Sequence, residues 1–336
     1  NISSHSNTLI VRRDMNDTVN IGPGWTKQSD ESISGNLFAV YTQGAAILKV
    51  QYPATLSLAA LNGTNGFRLD GIDANDHSGF SVSNAGDVNG DGFDDVIIGA
   101  NQGDAGGYNS GESYLVFGKS GAFDSTIDLS ALDGTNGFRL DGYSNSRSGV
   151  SVSSAGDVNG DGFDDLVIGA SSGSATASYA GQTYVVFGRA GGFASALALS
   201  SLNGANGFRL DGIDASDASG ISVSNAGDMN GDGFDDLIIG ADSGDAGGLQ
   251  SGESYVVFGM SSGFPSSINL SALNGSNGFR LNGIDPHDRC GYSVSSAGDV
   301  NGDGFDDVII DSPGEVYSSP GTTGESYIVF GKSSGF

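Results

Sequence analysis

The sequence predicts an all-β fold assembled from copies of one four-stranded antiparallel unit, and three observations predict it. An acidic stretch that starts at Asp87 returns at Asp157, Asp228 and Asp299, at spacings of 70, 71 and 71 residues. Each copy is followed by a β-branched run of strand length, "VIIGA", "LVIGA", "LIIGA" or "VIIDS". The 336 residues include 57 glycines but only 6 prolines, with no collagen period and no stretch of capped helical periodicity. Many short strands joined by tight turns fit that composition better than disorder does.

Taken in order, residues 1–52 do not match the repeat. "NLFAVYT" and "AILKVQY" flank "QGA" and read as a hairpin, while "TLIVRR" and "TVNIG" read as further strands. This segment is expected to be a degenerate blade, a cap or the end of a preceding domain. Residues 53–336 are four copies of one unit. Each unit carries "NGFRLDG" or "NGFRLNG" (65–71, 136–142, 206–212, 277–283), then an "SVS" strand, the acidic loop and the apolar run. It ends in "ESYLVFG" or a variant (112–118, 182–188, 253–259, 325–331). Four short strands in about 70 residues make one propeller blade. A solenoid is the alternative, since its usual repeats are shorter. The repeats open with an "NGFRLDG" strand and end without one, so a ring would close if the first strand completed the last blade. A piece cut from a longer array would look the same.

In "DVNGDGFDD" the side-chain oxygens at positions 1, 3, 5 and 9 are Asp87, Asn89, Asp91 and Asp95, with the carbonyl of Phe93 at position 7. The equivalent sets are Asp157, Asn159, Asp161, Phe163 and Asp165; Asp228, Asn230, Asp232, Phe234 and Asp236; Asp299, Asn301, Asp303, Phe305 and Asp307. Oxygen ligands crowded around a sharp glycine turn suit calcium, and about four ions, one per repeat, are expected. Magnesium keeps more waters and wants a stricter octahedron. Three carboxylates about 5 Å apart repel by roughly 3 kcal/mol per pair at an effective dielectric near 20, and a cation turns that repulsion into attraction. Helix–loop–helix calcium sites need an acid at position 12, where this chain has Ile98, Ile168, Ile239 or Ile310. Asp94, Asp164, Asp235 and Asp306 at position 8 are expected to point outward.

A net charge of -27 argues against nucleic acid or anionic membrane as partners. No apolar run reaches the roughly 18 residues that a membrane span needs. The single cysteine, Cys290, rules out an intramolecular disulfide framework and reads as a small buried apolar residue. The chain opens on Asn1 with no signal peptide, which reads as a processed or excised start. The three histidines, His5, His77 and His287, suggest no Ser-His-Asp or Cys-His constellation. "NGDG" is too acidic to hold phosphate. "DGIDANDHSG" (70–79), "DGIDASDASG" (211–220) and "NGIDPHDRCG" (282–291) read as polar turns rather than as a second cation site.

"SVSNAGDVNGDGFDDVIIGA" followed by "GESYLVFG" resembles the FG-GAP repeat of the integrin alpha-subunit propeller and its bacterial relatives. The resemblance covers about residues 53–336. It implies a β-propeller with a calcium loop between the first two strands of each blade, extracellular or cell-surface exposure, and adhesion to a protein or glycan ligand. Two departures stand out. The family's aromatic before glycine is replaced by Ser78, Ser148, Ser219 and Cys290, and the "GA" after the second strand becomes Asp311-Ser312 in the last copy. The function expected is a secreted or surface-exposed binding module with no enzyme activity and no direct membrane insertion. A self-associating matrix or filament protein is the structural alternative, and a propeller-scaffold hydrolase or lyase the enzymatic one.

Overall fold

The structure, a computed structural model, describes residues 8–11, 23–28, 31–33, 36–43, 46–51, 57–261, 263–314 and 323–336. The chain divides into two compact units, Asn1–Gly66 and Phe67–Phe336. Among the described residues regular structure is strand, apart from four three-residue 3-10 turns.

In the first unit Asn36–Gln43 and Ala46–Gln51 form the expected antiparallel hairpin. Thr8–Val11, from "TLIVRR", adds in parallel to Ala46–Gln51. Thr26–Lys27 and Glu31–Ile33 both pair antiparallel with Asn36–Gln43. The five strands fit a degenerate blade. "TVNIG" lies outside the described residues.

The second unit is a row of blades of the propeller type. In blade 1 the inner strand Ser81–Gly86 pairs antiparallel with Asp95–Ala100, then Glu112–Val116, then Gly137–Asp141. Blade 2 repeats the order with Ser151–Gly156, Asp165–Ala170, Gln182–Val186 and Gly207–Asp211. Blade 3 uses Ser222–Gly227, Asp236–Ala241, Glu253–Val257 and Gly278–Asn282. Blade 4 has, among the described residues, three strands, Val294–Gly298, Asp307–Ser312 and Glu325–Val329. Each inner strand ends in a register shift just before its glycine, which swings the chain into the acidic loop. The inner strands lie side by side in chain order.

The outer strand of blades 1 to 3 is thus the "NGFRLDG" or "NGFRLNG" segment of the next sequence unit, and blade and repeat are offset by one strand. A short strand from the following unit adds in parallel outside it, as Ala196–Ala198 does on Gly137–Asp141. Ring stacking fixes this corner: Phe138 stacks on Phe193 at 4.5 Å and Phe208 on Phe264 at 4.4 Å.

The core lies between blades. Ile97, Leu115 and Phe138 of blade 1 share one cluster with Val152, Leu166 and Ile168 of blade 2. Equivalent clusters join blades 2 and 3 and blades 3 and 4. The middle blades are covered on both faces, so Asp165–Ala170 and Asp236–Ala241 are buried along their whole length. A strand buried on both faces reads as a continuous apolar run rather than an alternating one, which is why "LVIGA" and "LIIGA" look as they do.

The first strand does not complete the last blade. Arg68–Asp70 pairs in parallel with Thr126–Asp128 in a two-stranded sheet. It occupies the place beside blade 1 that Gly137–Asp141 occupies beside blade 2. The stack of Phe67 on Phe123, at 4.4 Å, holds it there.

Candidate metal loops

Each acidic loop links the inner strand of its blade to the second strand, and the sequence curls it before any ion is considered. The position-1 carboxylate gathers successive backbone N–H groups: Asp87 accepts from Gly90, Asp91 and Gly92 at 2.8, 3.0 and 2.8 Å. Asp228 and Asp299 do the same, and Asp157 accepts from Asp161 and Gly162. The Asn89 side-chain oxygen accepts from Asp91 N–H, as those of Asn159, Asn230 and Asn301 do from Asp161, Asp232 and Asp303. The position-5 carboxylates of Asp91, Asp161, Asp232 and Asp303 accept from the N–H of Phe93, Phe163, Phe234 and Phe305.

The position-9 aspartates sit deepest. Asp95, Asp165, Asp236 and Asp307 are all buried. One oxygen accepts from the position-2 N–H, and the other from the glycine that ends the third strand: Gly118, Gly188, Gly259 or Gly331. This carboxyl staples the loop to the blade. Burial, with added repulsion from the position-1 and position-5 carboxylates, pushes Asp95 up to about 7 and Asp165 and Asp236 to about 8 against the bonds that favour the charged form. The structure therefore brings each proposed set into one loop. Among the described residues no three Asp, Glu, His or Cys side chains are gathered as a ready metal cluster.

The position-8 aspartates correct the expectation that they point outward. Asp164 Oδ2 accepts from Asp87 N–H of the preceding blade at 2.8 Å, Asp235 from Asp157 at 2.8 Å, and Asp306 from Asp228 at 3.0 Å. Only Asp94, in the first blade, stands exposed. The Phe at position 7 works beside this clamp: a Cβ on Gly90, Gly160 or Gly231 would lie 2.3, 2.3 or 2.4 Å from the ring of Phe163, Phe234 or Phe305. Each loop is thus locked onto the next, and the sequence signal was the "DD" doublet kept in all four copies.

The FG-GAP repeat family matches residues 78–116, 148–186, 219–257 and 291–329, one match for each inner strand, its loop and the two strands after it. The chain is an FG-GAP repeat protein. Repeats of this kind build β-propellers, typically ligand-binding or structural modules without enzyme activity.

Around the FG-GAP loops the remaining candidates fall into place. Cys290 is buried, as expected, and burial pushes its thiol up to about 11. His77 and His287 lie in corresponding turns with φ of 59° and 70°, but two positions apart: His77 matches Arg289, and His287 matches Asn75. The turn that contains Asp217 buries that carboxyl, which accepts from Asp214 N–H at 3.2 Å. Beside two FG-GAP loops lie similar cavities, of about 380 and 360 Å³. The first meets Asp161, Arg189 and Phe193, the second Asp91, Lys119 and Phe123, and in each the cation rides over the ring. Among the described residues no helix is long and apolar enough to cross a membrane.

Proposed function

We propose that this chain is a calcium-binding, extracellular β-propeller module that recognises a protein or glycan ligand in adhesion. The observation that carries the reading is the fourfold loop, with the same all-oxygen donor set at the same place in every blade. The donor set fits calcium. A carboxylate offers about four lone-pair sites, and the bonds to backbone N–H groups leave Asp87, Asp91 and Asp95, and their equivalents, capacity for a cation. Burial pushes Asp95, Asp165 and Asp236 up most, and the smaller part that comes from the neighbouring carboxylates would be relieved by a divalent ion held among them. Asn89, Asn159, Asn230 and Asn301 and the carbonyls of Phe93, Phe163, Phe234 and Phe305 supply neutral oxygens. The ion supplies charge neutralisation and cross-linking, not chemistry on a substrate. The chain's own residues then present the ligand surface: the cavities beside Asp91 and Asp161 combine an aromatic ring, a cation and hydrogen-bonding loop atoms.

The test is a native mass spectrum in calcium and again after chelation. About four calcium ions per chain, lost to chelator with a fall in Tm, is the expected result. No retained calcium would leave the loops as ordinary acidic turns. Glycan-array and surface-binding assays with Arg189→Ala then address the recognition surface.

A further inference from the structure

A second group of acids lies at the other end of the same strands from the acidic loop. There the turn before the inner strand meets the loop between the second and third strands. Gln102 N–H donates to the Asp76 carbonyl at 3.2 Å in blade 1, Ser172 to Ser146 at 3.2 Å in blade 2, and Ser243 to Asp217 at 3.3 Å in blade 3. In blade 1 the turn brings Asp73 and Asp76, the loop Asp104, and the third strand Glu112. In blade 3 the same positions hold Asp214, Asp217, Asp245 and Glu253.

Half of each group is deep. Asp217 and Glu253 are 3 % and 2 % exposed, and Asp76 and Glu112 are 7 % and 4 % exposed. The other aspartates are exposed. The glutamates are held: Glu112 accepts from Ala105 N–H and the Tyr114 hydroxyl, and Glu253 from Ala246 N–H and the Tyr255 hydroxyl. The deep aspartates are not. Asp217 accepts one bond, from Asp214 N–H to Oδ2, and its Oδ1 accepts none among the described residues. The buried Asp76 carboxylate accepts none at all there. Each of the two faces the other three acids of its own group, whose charges repel its own. A buried carboxylate without donors is costly unless a cation meets it.

Blade 2 shows what fills this place when the acids are gone, and there they go together. Ser146 replaces Asp76, Ser174 replaces Asp104, Gln182 replaces Glu112, and in a turn one residue shorter Ser144 alone stands for Asp73 and Ala74. Ile72 and Ile213 give way to Tyr143, whose hydroxyl donates to Gln182 Oε1 at 2.5 Å and accepts from Ser174 N–H at 2.8 Å. The chain's own hydroxyl thus bridges loop and third strand where blades 1 and 3 set carboxylates against each other.

We propose that blades 1 and 3 each bind a further divalent cation, calcium by the all-oxygen donor set, between Asp76 and Glu112 and between Asp217 and Glu253. The exposed aspartates beside them complete each set. As at the acidic loops, the side chains are not gathered into a ready cluster; like charges stand apart, and an ion draws them together. The ion ties turn, loop and third strand to one another, as the Tyr143 hydroxyl ties loop and strand in blade 2. The sites are independent of the acidic loops and of the ligand reading above.

The experiment uses the full chain, stripped with chelator and reloaded. One variant copies blade 2, with Asp76→Ser, Asp104→Ser, Asp217→Ser and Asp245→Ser together. A second changes only the exposed pair, Asp104→Ser and Asp245→Ser, and is checked for unchanged circular dichroism. Native mass spectrometry counts calcium, and terbium luminescence excited through tyrosine reads these sites, because Tyr114 and Tyr255 bond to their glutamates. The fourfold variant is expected to hold two ions fewer than wild type, one per blade, and to lose most of the luminescence. The exposed pair should need about tenfold more terbium for half its signal, since calcium sites weaken with the charge of their ligands. Asp161→Ala, in an acidic loop, should keep the luminescence. Calcium should raise the Tm of Asp217→Asn less than that of wild type. A fourfold variant with the wild-type ion count and luminescence overturns the proposal. So do an unchanged half-point in the exposed pair, luminescence lost in Asp161→Ala, or equal rises in Tm.

Discussion

At the residue scale, one glycine reports the contact between blades. Gly231 and Gly302 have nearly the same backbone, with φ of 75° and 76°, but only Gly231 faces a ring, that of Phe305. Alanine at either site costs about 1 kcal/mol of left-handed strain. Gly231→Ala must also displace Phe305, and denaturant unfolding should show it losing roughly 1–3 kcal/mol more than Gly302→Ala. Equal losses would mean that the ring does not seat there. Asp217 gives the pH test. Its burial, with Glu253, Asp214 and Asp245 nearby, lifts it from 3.8 to about 6. The folded state therefore prefers the neutral acid, and the stabilisation it gives is complete below about pH 4 and lost as pH rises through 6. Asp217→Asn, neutral at every pH and still able to accept from Asp214, should raise stability at pH 7.5 by up to about 3 kcal/mol. At pH 3.5 it should change nothing; a gain that persists there would place the effect elsewhere.

At the scale of the element, the acidic loop does two jobs with adjacent residues. Positions 1, 3, 5 and 9 accept hydrogen bonds from backbone N–H groups that curl the loop and tie it to its own blade, while positions 7 and 8 reach to the preceding blade. The jobs should separate by mutation. Asp161→Ala is expected to remove one calcium ion and leave the other loops loaded, as native mass spectrometry would count. Asp235→Ala removes the acceptor for Asp157 N–H and should cost about 1–3 kcal/mol. Asp94→Ala, at the exposed copy of the same position, should fall within about 0.5 kcal/mol of wild type in the monomer. Similar losses at both positions would show that the clamp contributes nothing beyond the loop itself.

For the whole second unit, stability is shared among nearest-neighbour junctions, as in other repeat proteins. A residue's worth then depends on which blade it occupies. Ile238 is fully buried and Ile309 is exposed, although they are the same residue at the same repeat position. Ile238→Ala should cost about 2–5 kcal/mol and Ile309→Ala less than about 1.5 kcal/mol by calorimetry of the monomer.

The sequence by itself determined the four main strands of each repeat, the position of the acidic loop and the hairpin of Asn36–Gln43 with Ala46–Gln51, because each of these is local; it did not show the short parallel strand such as Ala196–Ala198. A β-branched run bounded by glycine is a strand wherever it occurs, and the spacing of Asp87, Asn89, Asp91 and Asp95 is set along a few covalent bonds. The sequence could not show that each blade takes its outer strand from the next unit, since a repeat has no marked beginning. Nor could it show that Asp164, Asp235 and Asp306 face a neighbouring loop while Asp94 faces solvent. Those four aspartates are identical in local context, and only the presence or absence of a blade on one side tells them apart. The same holds for Val300 against Met229 and for Ile309 against Ile238. Periodic sequence encodes each interface in both halves at every repeat, and the tertiary structure alone decides which halves meet.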